Sequence, residues 1–145
     1  MKTTTAAALA RKLRKGKTDP VELLQQTLEA IRKCDDQAIF IDILADRAMA
    51  EAKVSRKRLK AGKPLSALDG VPMGWKDLFD LEGRVTTVGS IVFRDNPPAK
   101  ADAALVAAGK RAGLISVGTL NMTEFAYSGI GLNPHYGTPR NPNGT

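Results

Sequence analysis

An α/β fold is what this sequence predicts, and three observations point to it. Helical apolar periodicity fills roughly the first sixty residues; short apolar runs punctuated by Gly and Pro replace it after Leu65; and two strand-like runs, Val71–Lys76 and Leu114–Val117, are separated by a helical stretch. With 145 residues, 43% of them hydrophobic and 26% charged, the chain has the composition of an ordinary globular protein of about one domain.

The elements follow in order. Thr3–Thr5 can cap a helix that runs to Lys15, where Gly16 is a natural stop. Asp19-Pro20-Val21-Glu22 then supplies a cap, a proline at the first helical position and a carboxylate three residues after the cap. Val21, Leu24, Leu28 and Ile31 form one apolar stripe, which carries this helix to about Lys33. A short apolar segment, Ala38–Leu44, precedes a third helix over Ala45–Lys60, which Gly62-Lys63-Pro64 breaks. After the first strand, Ala101-Asp102 caps a helix of small residues, Ala103–Ala112, ended by Gly113. The second strand exits through Gly118-Thr119-Leu120-Asn121, and a further short helix is expected near Asn121. The tail, GIGLNPHYGTPRNPNGT, is nearly all turn residues. Two strands are too few for a stable sheet, so these need neighbours. The chain therefore reads as the N-terminal part of a larger fold, with a basic helical segment over 1–64 and the first α/β part of a core over 65–145.

The net charge of +7 is unevenly placed. Residues 1–64 hold fifteen Lys or Arg against eight Asp or Glu, whereas 65–145 hold seven of each. Much of the excess lies in RKLRKGK (11–17) and KVSRKRLKAGK (53–63), on helical patterns where a solvated face explains it. No aromatics are interleaved to make a stacking platform for single strands, which disfavours nucleic acid as a partner. No apolar run approaches the ~18 residues of a membrane span. The N-terminus reads as a first helix rather than a signal or transit peptide. The single cysteine, Cys34, cannot form an internal disulfide, which makes a reducing cytoplasm the default location.

Elimination narrows the chemistry. With one histidine, His135, and one cysteine, the chain has no multi-His or zinc-cluster pattern, and no metal or cofactor is expected. A Ser-His-Asp arrangement would have to recruit His135 from the turn Asn133-Pro134-His135-Tyr136, and Gly129-Ile130-Gly131 lacks the third glycine of a nucleotide loop. What stands out is Lys76, at the end of an apolar run and followed by Asp77, Leu78 and Phe79. A lysine drawn into an interior loses affinity for its proton and becomes a base able to activate a hydroxyl. On the residues alone, an ion-paired lysine or one that snorkels to the surface explains it equally well.

The stretch LDGVPMGWKDLFDLEGRVTTVGS resembles the entry motif of the amidase signature family, G-[IV]-P-x-x-x-K-D followed by G-x-x-T-T-x-G-S. Gly70, Val71, Pro72, Lys76 and Asp77 match the first block; Gly83, Thr86, Thr87, Gly89 and Ser90 match the second. Ala112, Gly113, Gly118, Asn121, Met122, Glu124, Phe125 and Ala126 match a third, and Gly131 to Pro142 is similar to the family's N-P turn region. The resemblance is close over about 64–145 and loose before that.

It implies an α/β/α layered fold with a mixed central sheet, of which this chain is the N-terminal portion. It also implies hydrolysis of a linear, small-molecule carboxamide through a Ser–cis-Ser–Lys triad, with Lys76 as the proton-relaying lysine. Ala126, Tyr127 and Ser128 match the segment lining the acyl pocket, although a packed helix end explains them as well. Thr86, Thr87 and Ser90 are expected to fix a loop through hydroxyl–backbone bonds, and Glu124 to be a structural carboxylate. The family's bridging serine lies in a P-G-G-S-S-G-G stretch after the N-P turn, and no Gly-Ser-Ser occurs in the 145 residues. The chain alone is thus expected to be inactive, ending at Asn143-Gly144-Thr145 before that region. The A subunit of glutamyl-tRNA amidotransferase is the alternative within the family. It usually has Asp after N-M and M-G-S after F-A, where this chain has Thr123 and Tyr127-Ser128-Gly129. A homodimer is a further expectation, and a non-catalytic basic module on RNA or an acidic partner is the reading from another class.

Overall fold

The computed structural model describes residues 4–142, so Thr3 and the terminal Asn143-Gly144-Thr145 lie outside the described residues. Among the described residues, four α-helices and three strands are laid out as α1 (Ala6–Arg14), α2 (Pro20–Lys33), β1 (Phe40–Ile43), α3 (Ala45–Lys60), β2 (Pro72–Lys76), α4 (Ala104–Arg111) and β3 (Ile115–Leu120). Local chemistry sets the helix ends. The Thr5 hydroxyl accepts from the Ala8 amide, and Asp19 Oδ1 accepts from the amides of Val21 and Glu22. Pro20 takes the first position of α2, where a missing N–H costs nothing.

The strands form one mixed sheet in the order β1-β3-β2. β1 runs antiparallel to β3, with Phe40 opposite Leu120, Asp42 opposite Thr119 and Ile43 opposite Gly118. Ile115 donates to the Val71 carbonyl and Asp77 to that of Leu120, so β2 and β3 run parallel with α4 between them. Two differences from the sequence reading stand out. The segment 38–44 contains a strand, Phe40–Ile43, and β3 continues through Gly118 to Leu120 instead of ending at Val117. Gly118 does not break the strand: a Cβ there would lie 2.3 Å from the Asp42 carbonyl oxygen, so glycine is what lets β1 approach.

The chain forms two compact units, each assembled from three segments. The first contains residues up to 33, 44–73 and 108–117. Its core gathers Val21 and Leu24 of α2, Ala48 and Ala52 of α3, and Ile115 and Val117 of β3, with Leu28, Ile31 and Met49 packed against them. The alanines of α3 let α2 lie close, and fully burying Leu24 contributes about 1.5–3 kcal/mol. A smaller cluster joins Ala10, Leu13 and Val71, with Leu23, Leu59 and Leu114 against it.

This unit also holds a buried carboxylate, Asp69. It accepts from Nε and Nη2 of the Arg58 guanidinium (2.8 and 2.7 Å), the Ser55 hydroxyl (2.7 Å) and the Leu65 amide (2.8 Å). Burial pushes its proton affinity up, but the Arg58, Leu65 and Ser55 hydrogen bonds together hold the carboxyl below its usual range. Gly113 ends α4 at φ +84°, and a Cβ on it would sit 2.6 Å from the Asp69 carboxyl group. No side chain but hydrogen fits there.

The second unit contains 34–43, 74–107 and the chain from 118 onward. Here Trp75, buried on β2, meets Phe79 edge to face. Arg84 pairs with Asp42, and the Asn121 side-chain amide donates to the carbonyls of Ala38 and Gly137. The short helix expected near Asn121 is a single 3-10 turn, Glu124–Ala126. Phe125 (φ +53°) and Ala126 (φ +55°) sit in left-handed conformations, which end a helix before it can propagate. No helix among the described residues is long and apolar enough to cross a membrane.

Candidate active site

The second unit gathers Asp77, Glu124 and Asn133 from the matched segments around one loop, 87–90. At the end of β2 the expected pattern is reversed: Lys76 is exposed and Asp77 is buried, at 1% exposure. The interior lysine anticipated from the apolar run is therefore a correction. Successive strand residues point to opposite faces, and among the described residues none covers the face that Lys76 takes.

Asp77 turns inward because the loop needs an acceptor. Its Oδ2 accepts the Thr87 hydroxyl and the Gly89 amide (3.1 Å), while Oδ1 lies 3.4 Å from the Thr87 amide. Between those donors Val88 is held at φ +54°, a conformation that a β-branched residue adopts only under constraint. The Val88 carbonyl in turn accepts the amide of Phe125, itself at positive φ. Two strained residues from separate segments are thus joined by one backbone bond.

The carboxylate of Glu124 closes the other side. Its Oε1 accepts the Ser90 hydroxyl (2.6 Å) and lies 2.8 Å from His135 Nε2. The Ser90 bond lowers its proton affinity most; burial opposes it, and His135 adds to the lowering. Asn133 braces both loops: its side-chain nitrogen donates to the carbonyls of Gly89 and Met122 (2.7 Å each), and its oxygen accepts the amides of His135 and Tyr136.

This geometry does not make a Ser-His-Asp relay. Such a relay needs histidine between serine and acid, whereas here Ser90 and His135 both bond to the acid, and Ser90 is fully buried. The threonine and serine hydroxyls of the second block do fix the loop: Thr86 bonds Asp80, Thr87 bonds Asp77 and Ser90 bonds Glu124, while the Ser90 hydroxyl also accepts the Val92 amide, a hydroxyl–backbone bond of the expected kind. Ala126, the last residue of the strained turn, and Tyr127 and Ser128 after it are all exposed, Tyr127 at 94%. They are not a packed helix end. Asn133 forms the turn read from sequence through its side-chain oxygen and is in addition a buried brace through its nitrogen, a role its position before a proline did not signal.

Comparison with known proteins decides the family. The amidase family model matches residues 22–145. This chain belongs to the amidase signature family. Among curated family members it is 41% identical over 131 residues to AtzE, the 1-carboxybiuret hydrolase subunit of Pseudomonas sp. (strain ADP), covering 90% of this chain and 29% of that protein. It is 39% identical over 139 residues to the A subunit of the glutamyl-tRNA(Gln) amidotransferase of Myxococcus xanthus, covering 95% of this chain and 28% of that one. Among solved structures, a chain from a vestigial protein complex, described as revealing the evolutionary origins of an s-triazine catabolic enzyme, superposes with a TM-score of 0.93 at 38% identity. That match covers 98% of this chain and 31% of the other. A crystal structure described simply as an amidase gives 0.78 at 30% identity, covering 92% and 30%. The chain thus spans under a third of the length of these amidase-family relatives. Over that span the α/β fold with a mixed sheet is the family's fold.

Proposed function

We propose that the intact protein is an amidase that hydrolyses a small linear carboxamide, and that Lys76 is its proton-relaying base. In this reading a serine nucleophile attacks the carbonyl carbon and passes its proton through a bridging serine to Lys76. The tetrahedral intermediate collapses by breaking the C–N bond, and the leaving nitrogen takes up a proton. Water then releases the carboxylic acid from the acyl-enzyme by the same relay. Ala126, Tyr127 and Ser128 line the acyl side of the pocket.

One observation carries the reading. Lys76 and Asp77 occupy the matched positions of the K-D block, and Asp77 is buried and bonded to the T-T-x-G-S loop. The adjacent backbone is thereby fixed, which is what a positioned base requires. Lys76 itself is exposed among the described residues.

The experiment is amide turnover by the intact protein with and without Lys76→Ala. Loss of kcat by at least about a thousandfold, with an unchanged circular dichroism spectrum, supports the assignment. The 145 residues alone supply one of three triad members and should turn nothing over; Lys76-dependent hydrolysis by them would overturn the triad assignment. The amidotransferase reading is kept alive by the Myxococcus xanthus relative. Both of these curated relatives are named as subunits, which favours assembly with another chain over the homodimer expected from sequence. Glutaminase activity that appears only with partner chains would select the amidotransferase reading.

A further inference from the structure

The first unit carries a feature that amide hydrolysis does not use. α1 and α3 end in the same way, in sequence and in geometry. Lys12-Leu13-Arg14-Lys15-Gly16-Lys17 and Arg58-Leu59-Lys60-Ala61-Gly62-Lys63 share the pattern basic-Leu-basic-x-Gly-Lys. In each, the glycine amide returns to the leucine carbonyl, and the following lysine amide returns to the carbonyl of the first basic residue (2.9 Å in both). Each is the paired closure that ends many helices. Leu13 and Leu59 belong to one small apolar cluster, so the two ends are anchored on the same core.

The charge there is uncompensated. Arg14, Lys15, Lys17, Lys57, Lys60 and Lys63 are all exposed. The carboxylates that come with these ends, Asp19 and Asp69, are already held by Arg56 and Arg58. Favourable interaction with the helix dipole accounts for cations in a last turn, but Lys17 and Lys63 lie beyond both helices.

We propose that the paired basic ends of α1 and α3 form a docking surface for the phosphate backbone of double-helical RNA. Three features choose among polyanions. Protein interfaces are depleted in lysine and enriched in aromatics, and this surface is the reverse. A helix lying in a bilayer surface needs a continuous exposed apolar face, whereas Ala10 and Leu13 of α1 are buried at 2% exposure each and Val54 is the one large apolar side chain exposed on α3. Reading the major groove of B-form DNA needs a helix side or a two-stranded ribbon to enter it, and this surface presents two blunt helix ends. A-form RNA is bound through phosphates and shape, which two lysine-bearing knobs can match. The absence of interleaved aromatics argued against stacking on single strands, and it leaves this mode untouched.

The test is fluorescence anisotropy of the protein with a blunt RNA duplex, titrated with KCl. Binding should weaken with salt, at about 0.9 logarithmic units per phosphate contacted. Lys17→Gln with Lys63→Gln, one change at each helix end, should flatten that slope by about 2. Arg94→Gln with Lys100→Gln, an equal charge change at exposed sites in the second unit, should leave the slope unaltered. Equal flattening by both pairs, or binding without salt dependence, would overturn the proposal. So would equal or tighter binding to a B-form DNA duplex, to phosphatidylserine vesicles or to polyglutamate.

Discussion

Removing the Asp77 carboxyl group should unlock the 87–90 loop, and the structure sets the size of the effect. In Asp77→Ala, the Thr87 hydroxyl and the Gly89 amide lose their acceptor where Asp77 is 1% exposed and Thr87 7%, so water cannot readily replace it. Each buried donor left unmet costs about 1–3 kcal/mol, and together they cost about 2–6 kcal/mol. Asp77→Asn is the informative partner. With its amide oxygen in the Oδ2 position it keeps both of those bonds and gives up only the long contact to the Thr87 amide, so it should cost about 1 kcal/mol. Urea unfolding followed by tryptophan fluorescence reads this directly, because the single tryptophan, Trp75, is buried two residues before Asp77. The midpoint should fall far for Ala and little for Asn, at unchanged slope. An Ala variant as stable as the parent, or an Asn variant as damaged as Ala, would refute the claim that acceptor geometry holds this loop.

Three further outcomes follow from the same structure. Gly113→Ala should cost about 3 kcal/mol or more in thermal or urea unfolding, since its Cβ collides with Asp69, whereas Gly83→Ala, at φ +80° but with open space, should cost only the ~1–2 kcal/mol of left-handed backbone. Asp69→Asn should destabilise at neutral pH by about 2–4 kcal/mol by breaking the forked Arg58 pair. Because the Asp69 carboxyl titrates below its unfolded value, its contribution is complete above about pH 4 and is lost as pH falls through the lower folded value. The gap between parent and variant should therefore close in acid, and a gap that widens would contradict the assignment. Lys76→Ala should leave unfolding within about 0.5 kcal/mol of the parent, because the side chain is exposed.

What the sequence disclosed, and what it hid, divides by the range of the interaction. Helices α1 to α3 were legible because their signals are local: Thr5 and Asp19 as caps, Pro20 at the first position, one apolar stripe along α2. β1 was hidden because a four-residue strand with Asp42 in its middle has no meaning without its partner, and β3 was cut short because Gly118 resembles a stop until β1 approaches it. Within the site, the motif blocks were legible as an ordered set of residues. The exchange of roles at β2 was not: an apolar run says that something is buried, but only the donors at Thr87 and Gly89 decide that it is Asp77 and not Lys76. Nor does any local pattern tell that Val88 and Phe125, nearly forty positions apart, are strained against each other.

The measurement that bears most directly on the central claim is the rate of release of ammonia or amine from a panel of small carboxamides by the intact protein from its native host, beside its Lys76→Ala variant. A base at Lys76 predicts turnover by the first and a loss of at least about a thousandfold in the second, at equal stability. Turnover that survives the substitution would remove Lys76 from the chemistry and leave this K-D block a structural anchor alone.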